Sequence, residues 1–285
     1  MHDISDIEHP VVSIQGVKGS FHHIAAEYLF KKASYLERGN FDAVFDDCAT
    51  ERADYALVAI ENSIAGSLLQ NYDLLGRHNI PIIGEALLRI EHHLIAYPGV
   101  ELEKIDEIWS HPMAINQTHE FLETLEASVI EKKDTAESVQ IIKERKLKHV
   151  AAIASEKAAE VYGMQIIKRN IETDPNNYTR FLVLSKHHTL KNGQSLPYKT
   201  SLHFSLVEQP GSLAAFLQII AKADVNMTMI ESRPQIGKPW QYDFFIDLNM
   251  NANLEENAEL LNKLKEQALF LQNLGSYPCF GYLKD

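Results

Sequence analysis

Along the first two thirds of this chain, strand-like apolar runs alternate with helical ones: 11–15 then 20–33, 55–60 then 64–78, 107–110 then 112–126, and 150–154 then 156–162. Strands that return through helices lie side by side in one direction, so this rhythm predicts largely parallel sheets covered by helices. Between the second and third units, 80–85 and 89–97 are extended runs with no helix between them, as expected where a chain crosses from one lobe to another. The expected fold class is therefore α/β, with two lobes and a cleft between them. A polar stretch at 185–199, with His187, His188, Asn192, Gly193, Gln194, Ser195 and Pro197, interrupts the apolar periodicity and reads as a linker. Beyond it come a strand at 201–207, a helix at 212–223, strands at 227–232 and 242–249, a helix at 254–267 and a closing strand at 276–282. That is a βαββαβ, ferredoxin-like order. The expected units are a two-lobed domain at 8–186 and a smaller one at 200–285.

The formal charge of -12 leaves no broad basic surface, which argues against nucleic acid and requires any anionic ligand to be held by local features. Cys48 and Cys279, the only cysteines, suggest neither a disulfide framework nor a thiolate metal cluster, and a reducing cytoplasm is the expected compartment. Residues 1–10 carry Asp3, Asp6 and Glu8 around no apolar core, so no ordinary signal peptide is expected. No run approaches the ~18 apolar residues of a membrane span.

Several stretches carry chemistry-bearing residues. Asn177-Tyr178-Thr179-Arg180-Phe181 sets a hydroxyl beside a fixed positive charge where turn-forming residues run into the apolar run 181–184. Thr179 and Arg180 are expected at a strand edge facing the cleft, although a strand-starting threonine and a salt-bridged arginine would fit the same pentapeptide. Gly16 and Gly19 flank the turn into the first helix, where backbone N–H groups can meet a carboxylate or Ser20 can act as an N-cap. Glu61, Asn62 and Ser63 emerge at the C-terminal end of an apolar strand, the end that faces ligands in open α/β sheets, and they also suit a helix cap. Ser110-His111-Pro112 reads as a helix start. Asp134-Thr135-Ala136-Glu137 has capping-box spacing, with Thr135 able to face the cleft. The pairs His22/His23, His92/His93 and His187/His188 lack the spacing of a helical zinc site, so no metal is expected.

Taken together and in this order, 16–26, 59–66, 110–121, 151–163 and 177–181 resemble prephenate dehydratase, over most of the chain. The family's N-x-T-R-F signature stands as 177–181, its E-N-S element as 61–63 and its D-T-A element as 134–136. The C-terminal segment is similar to an ACT domain: Gly211-Ser212-Leu213-Ala214 matches its G-A-L-A turn, and Glu231-Ser232-Arg233-Pro234 is its E-S-R-P motif. His22, where serine is common, and Met113, in the S-H-P-Q element, depart from the pattern.

The resemblance implies a lyase with a periplasmic-binding-protein-like catalytic domain that converts prephenate to phenylpyruvate without cofactor or metal. It assigns Thr179 to the leaving hydroxyl, Arg180 to a carboxylate, and Asn62 and Ser63 to the ring substituents. Gly19, Ser20, Glu61, Thr135, Asn177 and Phe181 would complete the substrate site. L-Phenylalanine would bind between two ACT domains, touching Gly211, Ser212, Leu213, Ala214, Asn226, Glu231, Ser232, Arg233 and Pro234, in a homodimer or homotetramer. The resemblance is to the monofunctional form. Arogenate dehydratase shares the fold and most motifs, and a non-catalytic small-molecule sensor would share the architecture.

Overall fold

The first lobe contains β1 (Val11–Gln15), α1 (Phe21–Leu29), β2 (Ser34–Arg38), α2 (Phe41–Ala49), β3 (Tyr55–Asn62), the short β4 (Gly66–Ser67), α3 (Leu69–His78) and β5 (Ile82–Arg89). The structure is a computed structural model that describes residues 4–190 and 196–283; Asp3 and the 191–195 part of the expected linker lie outside them. From β5 the chain crosses into the second lobe: β6 (His93–Ala96), β7 (Glu107–Ser110), α4 (Pro112–Gln117), α5 (His119–Leu122), β8 (Ser128–Glu131), α6 (Thr135–Arg145), β9 (Val150–Ala154), α7 (Glu156–Tyr162) and β10 (Gln165–Lys168). It returns as β11 (Tyr178–Leu184).

The α/β rhythm is present, but the sheets are mixed rather than largely parallel. In the first lobe β1 pairs in parallel with β2 and β3, whereas β11 inserts antiparallel between β3 and β5. The reason is the double crossing: β5 leads out of the lobe and β11 leads back in, so they run in opposite directions. In the second lobe, ordered β10-β6-β9-β7-β8, β7 is parallel to β8 and β9 while β6 is antiparallel to β9 and β10. Central β9, all apolar as Val-Ala-Ala-Ile-Ala, is buried along its whole length, as expected of a strand covered on both faces. The helix expected over 112–126 is broken after Gln117, where the Thr118 hydroxyl donates to the Ala114 carbonyl at 2.8 Å.

The C-terminal unit contains β12 (Tyr198–Ser205), α8 (Ser212–Lys222), β13 (Met227–Pro234), β14 (Tyr242–Leu248), α9 (Ala258–Gln267) and β15 (Phe270–Tyr282). Its sheet runs β13-β14-β12-β15. Leu202, Phe204, Ile246 and Leu248 pack under α8 and α9 with Phe216, Ile220, Leu260 and Leu264. On the other face Phe245, Leu274 and Tyr277 share a core with Tyr72, Leu74 and Leu75 of α3. Thus each strand alternates between a core under its own helices and a core shared with the first lobe.

The expected closing strand is longer than its 276–282 sequence signal. β15 leaves the C-terminal sheet and joins the first lobe, where Cys279 pairs with Glu85 and Tyr282 with Leu87 in parallel beside β5. One ten-stranded sheet therefore runs through both units. Gly275 makes the passage possible: its φ is 151°, and a Cβ there would lie 2.1 Å from the Ile82 carbonyl oxygen. Because that obstacle is backbone, Gly275→Ala should destabilise the fold by at least about 1–3 kcal/mol, read as a lower urea midpoint. An unchanged midpoint would show that β15 does not pass β5 this closely.

Candidate active site

Between the lobes lies a cavity of about 380 Å³, reached by Ser20, Asn62, Thr179 and Phe181 from the first lobe and by Gln117 and Thr135 from the second. Its first-lobe wall follows from strand alternation. On β11, Thr179 and Phe181 face the cavity, while Arg180 between them points through the sheet to its opposite face.

Asn62 ends β3 directly opposite Thr179 in the ladder. Its Nδ2 lies 3.1 Å from the Thr179 Oγ1, 2.7 Å from the Asn177 Oδ1 and 3.1 Å from the Tyr178 carbonyl. Its Oδ1 accepts from the Ile64 and Ala65 amides at 3.1 and 2.9 Å and from the Gln117 Nε2 at 3.2 Å. Asn62 is consequently fixed on both sides of its amide. Since the Thr179 oxygen accepts from Asn62, its own O–H proton is available to the cavity. Gln117 is held in turn by buried His92, whose Nε2 is 2.9 Å from the Gln117 Oε1. A chain of polar side chains thus runs from His92 through Gln117 and Asn62 to Thr179.

Burial favours the neutral form of the cavity's histidines. Burial pulls the His22 pKa from 6.5 down to about 3, and the His22 Nε2 accepts from the Ala59 amide at 3.3 Å, which an unprotonated nitrogen requires. Burial also lowers His92 and His111. Asp134, the N-cap of α6, is raised by burial despite the Glu137 and Ala136 amides. Three helices of nine residues or more, α1, α2 and α6, begin at this cavity through Ser20, Asn40 and Asp134, so the positive ends of their dipoles converge on it.

The His22 shift carries a pH prediction. Its folded pKa is depressed below the unfolded value, so the stability of the neutral form is full above pH 6.5 and is lost as pH falls toward about 3. One such histidine contributes a slope of about 1.4 kcal/mol per pH unit. His22→Gln should flatten stability against pH in the acid range by this amount. An unaltered slope would mean that His22 is protonated in the fold.

The remaining expected site residues divide. Ser20 and Thr135 line the cavity, and Ser20 also caps α1 by accepting from the His23 amide at 3.2 Å. Asn177 is buried behind Asn62. Ser63 lies outside the cavity and pins the 176–178 segment, donating to the Asn176 carbonyl and accepting from the Tyr178 amide, both at 2.9 Å. Gly19 is a lobe contact: a Cβ there would be 2.7 Å from the Ala158 Cα, and the Ser155 hydroxyl donates to its carbonyl at 2.6 Å.

Arg180 needs correction as a cleft residue, because neighbouring residues of a strand face opposite ways. Its guanidinium meets Glu85 and Asp247, each at 2.5 Å, and the Tyr277 hydroxyl at 3.3 Å, with Glu61 at 3.7 Å on the same side. Ser201 donates to Asp247 at 2.5 Å and Lys199 reaches Glu85 at 2.7 Å. Burial would raise the Glu85 carboxyl, yet Arg180 and Lys199 overcome it and hold Glu85 below the usual range. This buried network ties the strand carrying Thr179 to the C-terminal unit.

In the C-terminal unit Gly211 starts α8 with φ 86°. Arg233 is engaged with the first lobe, forming a two-pronged ion pair with Asp73 of α3 at 2.8 and 2.7 Å. Asn226 and the 211–214 turn lie at opposite ends of the sheet, since β13 begins opposite Leu248 and β12 ends opposite Asp243. Gln117 and Lys133 are cavity residues that the sequence reading did not single out, and His92 is one it weighed only as a metal ligand. Gln117 had a detectable signal: it shares a helical face with Ala114, three residues earlier, where an apolar residue would ordinarily be buried.

Among the described residues, no helix is long and apolar enough to cross a membrane. A family model described as "Prephenate dehydratase" matches residues 12–189, and one described as "ACT domain" matches 200–266. The chain is 38% identical over 276 residues to arogenate dehydratase/prephenate dehydratase 2, chloroplastic, of Arabidopsis thaliana, covering 94% of this chain and 72% of that protein. Among solved structures it is similar to GqqA, a quorum-quenching acylase, with a TM-score of 0.85 and 30% identity over 94% of this chain and 98% of that one. It is equally similar in shape to prephenate dehydratase of Arthrobacter aurescens in complex with L-Phe, with a TM-score of 0.85 and 29% identity over 94% and 89% of the two chains. A two-lobed α/β core with its cavity at the lobe junction, followed by a βαββαβ domain, agrees with these matches, and the chain belongs to the prephenate dehydratase family.

Proposed function

We propose that this chain converts prephenate to phenylpyruvate, releasing carbon dioxide and water together, and that L-phenylalanine inhibits it. The observation that carries the reading is the Thr179 hydroxyl, which accepts from Asn62 and so keeps its own proton for the cavity. Prephenate has two carboxylates and a ring hydroxyl on a cyclohexadiene that becomes aromatic as the groups leave. Aromatisation supplies the drive, one proton is taken up, and no electrons pass to an outside acceptor. The protein's task is to hold a dianion and to meet the departing hydroxide with a hydrogen-bond donor.

In this reading Thr179 donates to the leaving hydroxyl, and Asn62 and Gln117 fix the direction of that donor. Threonine is a weak acid, so its main effect is to stabilise charge as it develops on the departing oxygen. Phe181 packs along the ring, and the convergent helix N-termini favour an anion even though the chain carries -12 overall. Incubation with equal concentrations of prephenate and arogenate tests the substrate. Phenylpyruvate should form well ahead of phenylalanine; the reverse order would make the chain an arogenate dehydratase, and neither product would favour a sensor.

For the effector, the 211–214 turn of one copy and the Asn226 end of β13 of another supply the two sides of a phenylalanine site. Within one copy these lie at opposite ends of the sheet, which supports a homodimer as the inhibited unit, or a homotetramer built from such dimers. Edge strand β13 leaves Ile230 exposed for such pairing. Cys48 and Cys279 are both free thiols, in keeping with work in the cytoplasm.

A further inference from the structure

We infer that Lys133 holds the side-chain carboxylate of the substrate, the one that stays, in place of the Arg180 that the sequence pattern offers for a carboxylate. The inference rests on the proposed reaction. A dianion entering the cavity needs a fixed cation, and Arg180 is spent on Glu85 and Asp247 on the far face of the sheet. Among the described residues that line the cavity, Lys133 is the only lysine or arginine. It makes no ion pair with a described residue, whereas the preceding Lys132 is stacked over Trp109 at 3.8 Å from the ring centroid.

The position of the ammonium is also specific. Lys133 leaves the second lobe just before the Asp134 cap of α6 and extends across the junction to the first lobe. A Cβ on Gly39 would be 2.8 Å from the Lys133 Nζ, so the charge lies against bare backbone beside Asn40, the cap of α2. Asn40, Phe41 and Thr135 line the same cavity. A carboxylate there would meet one full positive charge, supplied by the second lobe and resting against the backbone of the first.

Which carboxylate Lys133 holds follows from the chemistry. As carbon dioxide leaves, negative charge drains from the departing carboxylate into the ring. A cation on that group would favour the ground state over the transition state and slow the reaction. A cation on the side-chain carboxylate is felt equally in both states, so it strengthens binding without altering the chemical step.

Lys133→Met should therefore raise KM for prephenate by about 10- to 100-fold with kcat within a factor of about three, for a contact of about 1.4–2.7 kcal/mol. Lys133→Arg should recover most of the loss. The wild-type KM should rise with added salt, and Lys133→Met should lose most of that dependence, which a merely structural role would leave alone. Lys133 is exposed, so the variant should keep its thermal midpoint. An unchanged KM in Lys133→Met would overturn the inference, and a kcat that rises along with KM would contradict the assignment to the carboxylate that stays. Should the wild-type protein turn over only arogenate, the same comparison applies, because arogenate retains that carboxylate. Failure of wild type on both substrates would remove the proposed reaction and this inference with it, whereas failure of the KM shift alone removes only Lys133.

Discussion

Thr179→Val is expected to lower kcat by about 10²- to 10⁴-fold while leaving the fold intact. Valine keeps the β-branched shape that suits a strand and removes only the hydroxyl. The Asn62 amide does not become an orphan, because its two hydrogens still have the Asn177 side chain and the Tyr178 carbonyl as acceptors. The loss should therefore appear in kcat, with KM changed far less and the thermal midpoint within a few degrees of wild type. Folded Thr179→Val with a kcat near wild type would show that the donor to the leaving hydroxyl is another group. Asn62 and Gln117 would then have no evident object for the orientation they impose.

Arg180→Met should act on the fold instead, destabilising it by about 3–5 kcal/mol. The substitution leaves two buried carboxylates, Glu85 and Asp247, without their shared counter-charge, although Lys199 and Ser201 still touch them. Uncompensated burial is the cause, so combining Arg180→Met with Glu85→Gln and Asp247→Asn should restore part of the urea midpoint. An arginine that instead bound substrate would give the opposite pattern, a raised KM with an ordinary midpoint. Because Asp247 and Tyr277 belong to the C-terminal unit and Thr179 is the neighbouring residue on β11, the same network connects the C-terminal unit to the strand that carries Thr179. Loss of the network is expected to weaken phenylalanine inhibition in any variant that remains folded.

The fate of this one arginine marks how far the sequence could be read. The strand itself was legible, since Phe181-Leu182-Val183-Leu184 is apolar and turn formers precede it. Period-two alternation allows only one of Thr179 and Arg180 to face the cleft, and Thr179 does. What no local pattern reveals is that the opposite face is covered by a second unit carrying an aspartate at the right depth. For the same reason the length of β15 was underestimated. Its passage beside β5 depends on Gly275 meeting Ile82, a contact between residues almost two hundred positions apart.

Asn62 and Thr179 were legible because each sits at the end of an apolar strand, where polar residues have few structural duties. Ser63 was placed beside Asn62 on that argument, yet the chain turns immediately after β3 and carries its hydroxyl to the 176–178 segment. Gln117 was hidden inside a helix and Lys133 beside a capping residue, where a polar or charged side chain has an ordinary explanation. The mixed direction of the sheets was likewise beyond local pattern, because it follows from the number of lobe crossings rather than from any one strand.

The initial rate of phenylpyruvate formation from prephenate by the purified chain, measured across a phenylalanine series up to millimolar concentration, bears most directly on the assignment of a feedback-controlled dehydratase. Turnover that falls as phenylalanine rises is expected, with the inhibition carried through the C-terminal unit. Turnover that phenylalanine leaves untouched would keep the cleft chemistry and remove the regulatory reading. No phenylpyruvate from a folded protein would refute the proposed reaction itself.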